Sequence, residues 1–173
     1  MKHHIRVLII ISILSVLSIT LFAIDIKTDY DRHADFARYK TYTWAKVETP
    51  DPLWNDRVKE AVDAALTKHG WTQVPEGADI SIVAIGITKN KRTLRTFYDG
   101  FDGWLWGGFG EATTTVDHYT VGTLVVDMFD TRTKKLIWRG SASDVLAEKP
   151  EKDIKKLQKA VEKMFEHFPP ASV

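Results

Sequence analysis

The chain contains no cysteine. Disulfides, cysteine-based metal sites, thiol nucleophiles and lipid attachment through cysteine are therefore excluded. Compartment is left open, because a chain without cysteine suits any redox environment. An excess of charge is missing too. The formal net charge is +1, and Lys2 and Arg6 are the only formally charged side chains of residues 1–23, so the remainder carries 22 basic and 23 acidic groups, a net of −1. A near-neutral domain presents no clustered basic face, so nucleic acid is not an expected partner. The basic turn Lys89-Asn90-Lys91-Arg92 is short enough to be read as a solvated tip.

Signatures of catalysis are also absent. His3 and His4 lie in the leading segment, and His33, His69, His118 and His167 are spread along the chain with no HExxH and no close pair. Asp117 and His118 are adjacent on an expected strand, where neighbours point to opposite faces. Gly140-Ser141-Ala142-Ser143 is not a GxSxG elbow. The run GGFG at 107–110 is followed by no GK[ST], and Asp99 and Asp102 lack the later ligands and closing Glu of a calcium loop. A carboxylate pair could be drawn from Asp127, Asp130 and Asp144. Asp130 is more simply the start of a turn, and Asp127 faces Arg139 across an expected hairpin as a cross-strand ion pair. No catalytic residue, metal or cofactor is expected, and no small-molecule ligand is identified.

The chain has 173 residues, enough for one domain with its own core. Residues 1–24 read MKHHIRVLIIISILSVLSITLFAI, a basic start followed by an apolar run. This is the pattern of a secretory signal, with cleavage expected after Ala23. Leu21 leaves the small-x-small rule half met, and Val7 to Ile24 is about long enough to stay as an uncleaved anchor. The expected organisation is a signal at 1–23 and a single domain at 24–173.

The domain is organised around Gly122–Gly140, GTLVVDMFDTRTKKLIWRG. Leu124, Val126 and Met128 alternate with Val125, Asp127 and Phe129, and after the link Asp130–Lys134 the apolar run resumes at Leu136-Ile137-Trp138. Period two around a short polar link predicts a β-hairpin, whose second strand runs on through Ser141 to Leu146. Ile26–Asp31 and Tyr39–Trp44 read as strands. A helix is expected over 52–69: Asp51 caps it, Pro52 suits its first position, and Trp54, Val58, Ala61, Val62, Ala65 and Leu66 form one stripe. Gly70 supplies a left-handed stop. Trp71–Val74 can add a short strand before a turn at 75–77. Ile80–Thr88 is apolar on both faces, as in a central strand covered on both sides. Thr93–Tyr98 and Ala112–Val121 are further strand candidates. A second helix is expected over 150–167, with Ile154, Leu157, Val161, Met164 and Phe168 on one stripe and Pro169-Pro170 ending it. The fold class is α+β: a mainly antiparallel sheet of about five to seven strands packed with two helices.

These pieces resemble an uncharacterised bacterial envelope family catalogued as domain of unknown function 4136. The matching residues are Asp29-Tyr30-Asp31, Phe36, Tyr39–Trp44, the helix ending at Gly70, Ala78-Asp79, Gly122-Thr123-Leu124, Val126-Asp127, Asp130, Lys135, Trp138-Arg139-Gly140 and Phe168-Pro169-Pro170. They run in the family's order over nearly the whole chain after residue 24. The resemblance implies an exported protein of the cell envelope. Family members are often lipoproteins, and this chain departs from that in having no cysteine. No activity and no catalytic residues come with it.

One stretch is left over. Residues 98–110, YDGFDGWLWGGFG, combine glycines with Phe101, Trp104, Leu105, Trp106 and Phe109. Glycine frees the backbone at a cost in order, so the stretch reads as a long loop between strands. Exposed aromatics there would suit a protein partner, a membrane surface or a sugar, with Phe101, Trp104, Trp106 and Phe109 as contacts and the two tryptophans as anchors. The alternative is a loop folded onto the edge of the core. The expected function is a non-enzymatic binding or assembly module. An envelope hydrolase with an unrecognised site and a purely structural envelope protein are the alternatives.

Overall fold

Strand alternation in residues 122–140 produces the hairpin. In the computed structural model, which describes residues 24–87, 122–146 and 150–170, β5 (Leu124–Asp130) and β6 (Leu136–Ala142) pair antiparallel. Asp130 closes the turn: its Oδ1 accepts the N–H groups of Arg132 at 2.9 Å and Thr133 at 2.6 Å. Lys134 takes a φ of 62°. The ladder slips between Met128 and Phe129, leaving Ile137 as the extra residue of a bulge. The second strand does not run on to Leu146 as the sequence suggests. It ends at Ala142, because Asp144 turns left-handed at φ 58° and the N–H groups of Val145 and Leu146 both donate to the Gly122 carbonyl at 3.0 Å.

The other strands extend this hairpin. β1 (Ile26–Tyr30) pairs antiparallel with the outer edge of β6. On the opposite side β4 (Ile80–Gly86) runs antiparallel to β5, β2 (Thr41–Glu48) lies parallel to β4, and β3 (Thr72–Gln73) lies parallel to β2. The six-stranded order is β1-β6-β5-β4-β2-β3, a mixed, mostly antiparallel sheet. β4, the strand apolar on both faces, is interior, as its composition requires. Parallel β2 and β3 need a crossover, which α1 (Leu53–Lys68) supplies.

Local signals define α1. Asp51 Oδ1 accepts the Leu53 N–H at 3.0 Å. The stripe Trp54, Val58, Ala61, Val62, Ala65 and Leu66 is buried in full. At the C-terminus Trp71 N–H reaches the Leu66 carbonyl and Gly70 N–H the Thr67 carbonyl, each at 3.0 Å, around Gly70 at φ 77°. This pairing satisfies carbonyls that a helix end otherwise leaves free. The second helix, α2 (Pro150–Met164), stops short of the expected 167 and gives way to a turn through His167. Its Leu157, Val161 and Met164 are buried, as are Phe165 and Phe168 beyond it.

Both helices lie on the same face of the sheet, their buried residues merging with Ile80, Ile82, Ala84, Leu124, Val126 and Met128 into one core. Burying a side chain of this size contributes about 1.5–3 kcal/mol. Phe168 closes one end of that core. Its ring meets Phe36 at 6.0 Å, Trp71 at 5.1 Å, Trp138 at 5.5 Å and Phe165 at 5.4 Å between centroids. These aromatics come from four separate parts of the sequence, so the cluster ties the chain's end to its beginning. α2 rests so closely on β6 that a Cβ at Gly140 would lie 2.5 Å from the Trp138 ring and nearer still to Met164.

Candidate functional site

Three places gather polar or functional groups. The first is the end of the sheet near the Asp130 turn. Asp79 Oδ2 accepts the N–H of Lys40 at 2.9 Å, that of Thr41 at 2.9 Å and the Thr41 hydroxyl at 2.8 Å. Those bonds, led by the Lys40 N–H, hold the Asp79 carboxyl below the usual range against the opposing effect of burial. Asp130 Oδ2 accepts the Tyr39 hydroxyl at 2.8 Å. Burial works to raise the Asp130 carboxyl, yet the Thr133 N–H and the Tyr39 hydroxyl keep it below the usual range. Burial first, and then the bond to Asp130 and its charge, push the Tyr39 phenol up to about 12. Shifted ionisation often marks a functional site. Here Asp79 Oδ2 and both Asp130 oxygens accept backbone N–H groups, the Thr41 hydroxyl and the Tyr39 phenol, so the cluster acts as a latch. It joins β2, the start of β4 and the β5–β6 turn. Thr131 completes it by donating its hydroxyl to the Ala78 carbonyl at 2.6 Å.

The second place is the sheet face turned away from the helices. Asp127 and Arg139 sit opposite one another there, as the hairpin register requires. The guanidinium binds the carboxylate at two points, Nε to Oδ1 and Nη2 to Oδ2, both 2.6 Å. The side chains are 1% and 11% exposed. A planar, two-point pair of this kind is among the stronger charge-assisted bonds. It is surrounded by Val83, Ile85, Ile87, Val125 and Phe129, a second buried cluster to which neither helix contributes.

A groove between α1 and α2 is the third. Its volume is about 740 Å3, and its walls combine Ala61, Ala64 and Phe165 with charges of both signs. Lys68 and Glu162 link the helices across it at 2.6 Å. Among the described residues no group of three or more His, Asp or Glu side chains could hold a metal ion, and no helix is long and apolar enough to cross a membrane. His33 pairs with Asp31 on an exposed turn at 3.2 Å, and His69 packs edge-on against Phe168 at 5.8 Å.

Phe101, Trp104, Trp106 and Phe109 lie outside the described residues, as do His118 and the strand candidates Thr93–Tyr98 and Ala112–Val121. What the structure places is the root of that segment. Ile87 follows β4 and Gly122 precedes β5, and the two ends are clasped: Ile87 N–H donates to the Thr123 carbonyl at 2.8 Å, and Gly122 N–H donates to the Ile87 carbonyl at 2.9 Å. Gly122 adopts φ 79°. Beside it, a Cβ at Gly86 would meet Leu146 Cδ1 at 2.7 Å and Pro50 Cδ at 2.9 Å. The segment thus springs from two adjacent interior strands on a rigid, closely packed base. Sequence reasoning found the ion pair and the turn aspartate but missed the Asp79 latch, whose partners Thr41 and Lys40 are 38 and 39 residues away.

Two helices on one face of a six-stranded mixed sheet, with a long insertion between its interior strands, define a class of α+β domain. Within that class the chain belongs to the family described as Domain of unknown function (DUF4136), whose model matches residues 26–170. A crystal structure of a DUF4136 family protein from Bacteroides thetaiotaomicron superposes with TM-score 0.60 and 16% identity, over 84% of this chain and 96% of that one. A PDZ domain protein from Parabacteroides distasonis gives TM-score 0.55 and 14% identity over 86% of this chain, which spans only 36% of that protein. A PelC dodecamer from Paraburkholderia phytofirmans gives 0.49 and 10% identity, over 82% and 95%. At these identities the likeness is one of fold alone. No curated protein matches the sequence.

Proposed function

We propose that the protein is a non-enzymatic binding or assembly module of the cell envelope that touches an envelope protein or a membrane surface through residues 98–110. The observation that carries this reading is the insertion itself. Two adjacent antiparallel strands need a turn of only a few residues, yet here residues 88–121 stand between Ile87 and Gly122. Insertions of that length in a small domain are usually functional, and function tends to sit on loops held by a rigid scaffold. This one contains five aromatic side chains in its glycine-rich stretch, Tyr98, Phe101, Trp104, Trp106 and Phe109. Trp104 and Trp106 are its anchors, and losing one costs about 2 kcal/mol or more in affinity. The engagement of Asp79 Oδ2 and of both Asp130 oxygens in structural bonds supports a binding role over a hydrolytic one. Residues 1–23 serve export, with cleavage after Ala23.

The test is a photo-crosslinking residue at Trp106, irradiated in living cells. A discrete adduct with another envelope protein or with lipid supports the reading and names the partner. Absence of any adduct, with an exposed helix position such as Lys159 equally silent, contradicts it. N-terminal sequencing of the envelope fraction should begin at Ile24.

A further inference from the structure

The sheet ends on one side in β1, and no described strand pairs with its outer edge. Lys27, Thr28, Asp29 and Tyr30 are all exposed. The ladder to β6 fixes which backbone groups face that edge. Asp31 N–H donates to the Ile137 carbonyl at 2.9 Å, and Ser143 N–H donates to the Asp25 carbonyl at 3.0 Å. Lys27 and Asp29 are in phase with these and face β6, so Ile26, Thr28 and Tyr30 turn their N–H and C=O groups outward. Such an edge is a template for another strand. Asp29 Oδ1 takes the outward N–H of Tyr30 at 2.8 Å. Lys27 lies 3.7 Å from Asp25, with both side chains largely in water. Tyr30 is one of two large apolar side chains left exposed among the described residues, its ring edge-on to Phe36 at 6.2 Å.

We propose that this edge pairs with the same edge of a second copy of the chain, antiparallel about a two-fold axis through Thr28, so that the two sheets become one. The strand reads Ile-Lys-Thr-Asp-Tyr and complements itself when reversed. Thr28 faces Thr28, Lys27 faces Asp29 of the second copy, and Ile26 faces Tyr30 of the second copy, the last two pairs each formed on both sides of the axis. Opposite charges, paired threonines and an aromatic opposite a β-branched residue are cross-strand pairs that stabilise an antiparallel ladder. Every outward N–H and C=O of the strand then finds a partner. Tyr30 N–H passes from Asp29 to the Ile26 carbonyl of the second copy, which frees the Asp29 carboxylate for Lys27. Ile26, packed against the core on the helix side, stands beside the exposed Tyr30 ring of the other copy. Outward residues must meet outward residues, so the neighbouring registers lie two residues away. One sets Lys27 against Lys27 and Asp25 against Asp29; the other sets Asp29 against Asp29. Like charges directly opposite destabilise a ladder. The like pair of the favoured register, Asp25 with Asp31, lies beyond the strand ends, where Asp31 accepts the His33 N–H at 2.8 Å. Such an interface is isologous and closes on two copies. The inference goes beyond the binding role and does not depend on it, because β1 is an edge strand whereas residues 98–110 belong to an insertion between two interior strands.

The test uses the protein purified from cells expressing the full chain. Sedimentation equilibrium should show monomer and dimer in exchange. Lys27→Asp sets acid against acid at both charge pairs, and Asp29→Lys sets base against base. Each alone should weaken the dimer at least about tenfold, and an equimolar mixture of the two variants should recover it as a heterodimer. Cysteine variants read the register independently of charge, since the chain has no other cysteine. Facing Cα atoms at Thr28 lie about 5.5 Å apart across the axis, within reach of a disulfide. Two copies of Tyr30 are offset along the strands by about 14 Å. Mild oxidation should therefore link Thr28→Cys chains and leave Tyr30→Cys chains single. A monomer at up to about 100 μM, a larger oligomer, a dimer that survives either charge reversal, a mixture that stays monomeric, or a Tyr30→Cys disulfide that forms as fast as the Thr28→Cys one would each overturn the proposal. None of these outcomes reports on a cellular partner, so failure here is separable from failure of the Trp106 experiment.

Discussion

Gly140→Ala is the perturbation that most directly probes how α2 is seated. The added Cβ would stand 2.5 Å from the Trp138 ring and closer still to Met164 Cγ and Sδ. Carbon contacts settle at about 3.5–4.0 Å, so strand and helix must part by about 1 Å or Met164 must leave its place. Overpacking of this kind costs about 1–3 kcal/mol. Stiffening of the unfolded chain by Ala returns about 0.4–1 kcal/mol, leaving a net loss of about 1–2 kcal/mol. For a domain of this size that lowers the melting temperature by about 3–6 °C. The assay is thermal unfolding followed by circular dichroism, with urea titration for the free energy. Met164→Ala opens a cavity and alone costs about 2–5 kcal/mol. In the double variant the new methyl occupies part of the vacated space, so the combined loss falls short of the sum by about 0.5–3 kcal/mol. A Gly140→Ala protein that melts with the wild type, or losses that simply add, would refute the close-approach argument.

Other outcomes follow from the same structure. Arg139→Met should cost about 3–5 kcal/mol by leaving Asp127 without its two-point partner, and Asp127→Leu with Arg139→Met should recover most of it, both read by urea unfolding. Folded Asp79 and Asp130 titrate below the unfolded value of about 3.9. Their stabilisation is therefore present above that value and is lost as pH falls through the folded values, so Asp79→Asn should trail the wild type at pH 6 and approach it at pH 3 in denaturant midpoints. Phe168→Ala should cost about 3–5 kcal/mol, measured by calorimetry. An unchanged melt would contradict its place at the closure of the aromatic cluster.

What was legible in the sequence was local. α1 could be read because the Asp51 side chain that meets the Leu53 N–H, its six-residue stripe and its stop at Gly70 agree. β4 could be read because its run is apolar on both faces, and the Asp127–Arg139 pair because hairpin register fixes which residues face each other. Strand order was not legible, since nothing in Tyr39–Trp44 says that β2 will lie parallel to β4 rather than beside β1. Nor was the placement of both helices on one face, because each stripe asks only for an apolar surface. The Asp79 latch escaped because a carboxylate bonded to distant backbone N–H groups leaves no spacing pattern. The residues by which the family is recognised prove here to be packing and latching groups: Phe36, Asp79, Asp130, Trp138, Gly140 and Phe168.

The central claim is that Trp104 and Trp106 serve a partner and not the core. The measurement is the melting temperature of the Trp104→Ala, Trp106→Ala double variant, taken beside crosslinking from a photoreactive residue at Phe101 in cells. Surface positions shift stability by about 0.5 kcal/mol or less. The account therefore predicts a melt within about 4 °C of the wild type together with a partner adduct reduced at least about thirtyfold, as about 2 kcal/mol of lost affinity requires. A melt lowered by about 10 °C or more, the effect of deleting buried tryptophan at about 3–5 kcal/mol, would make these residues part of the core and contradict the account.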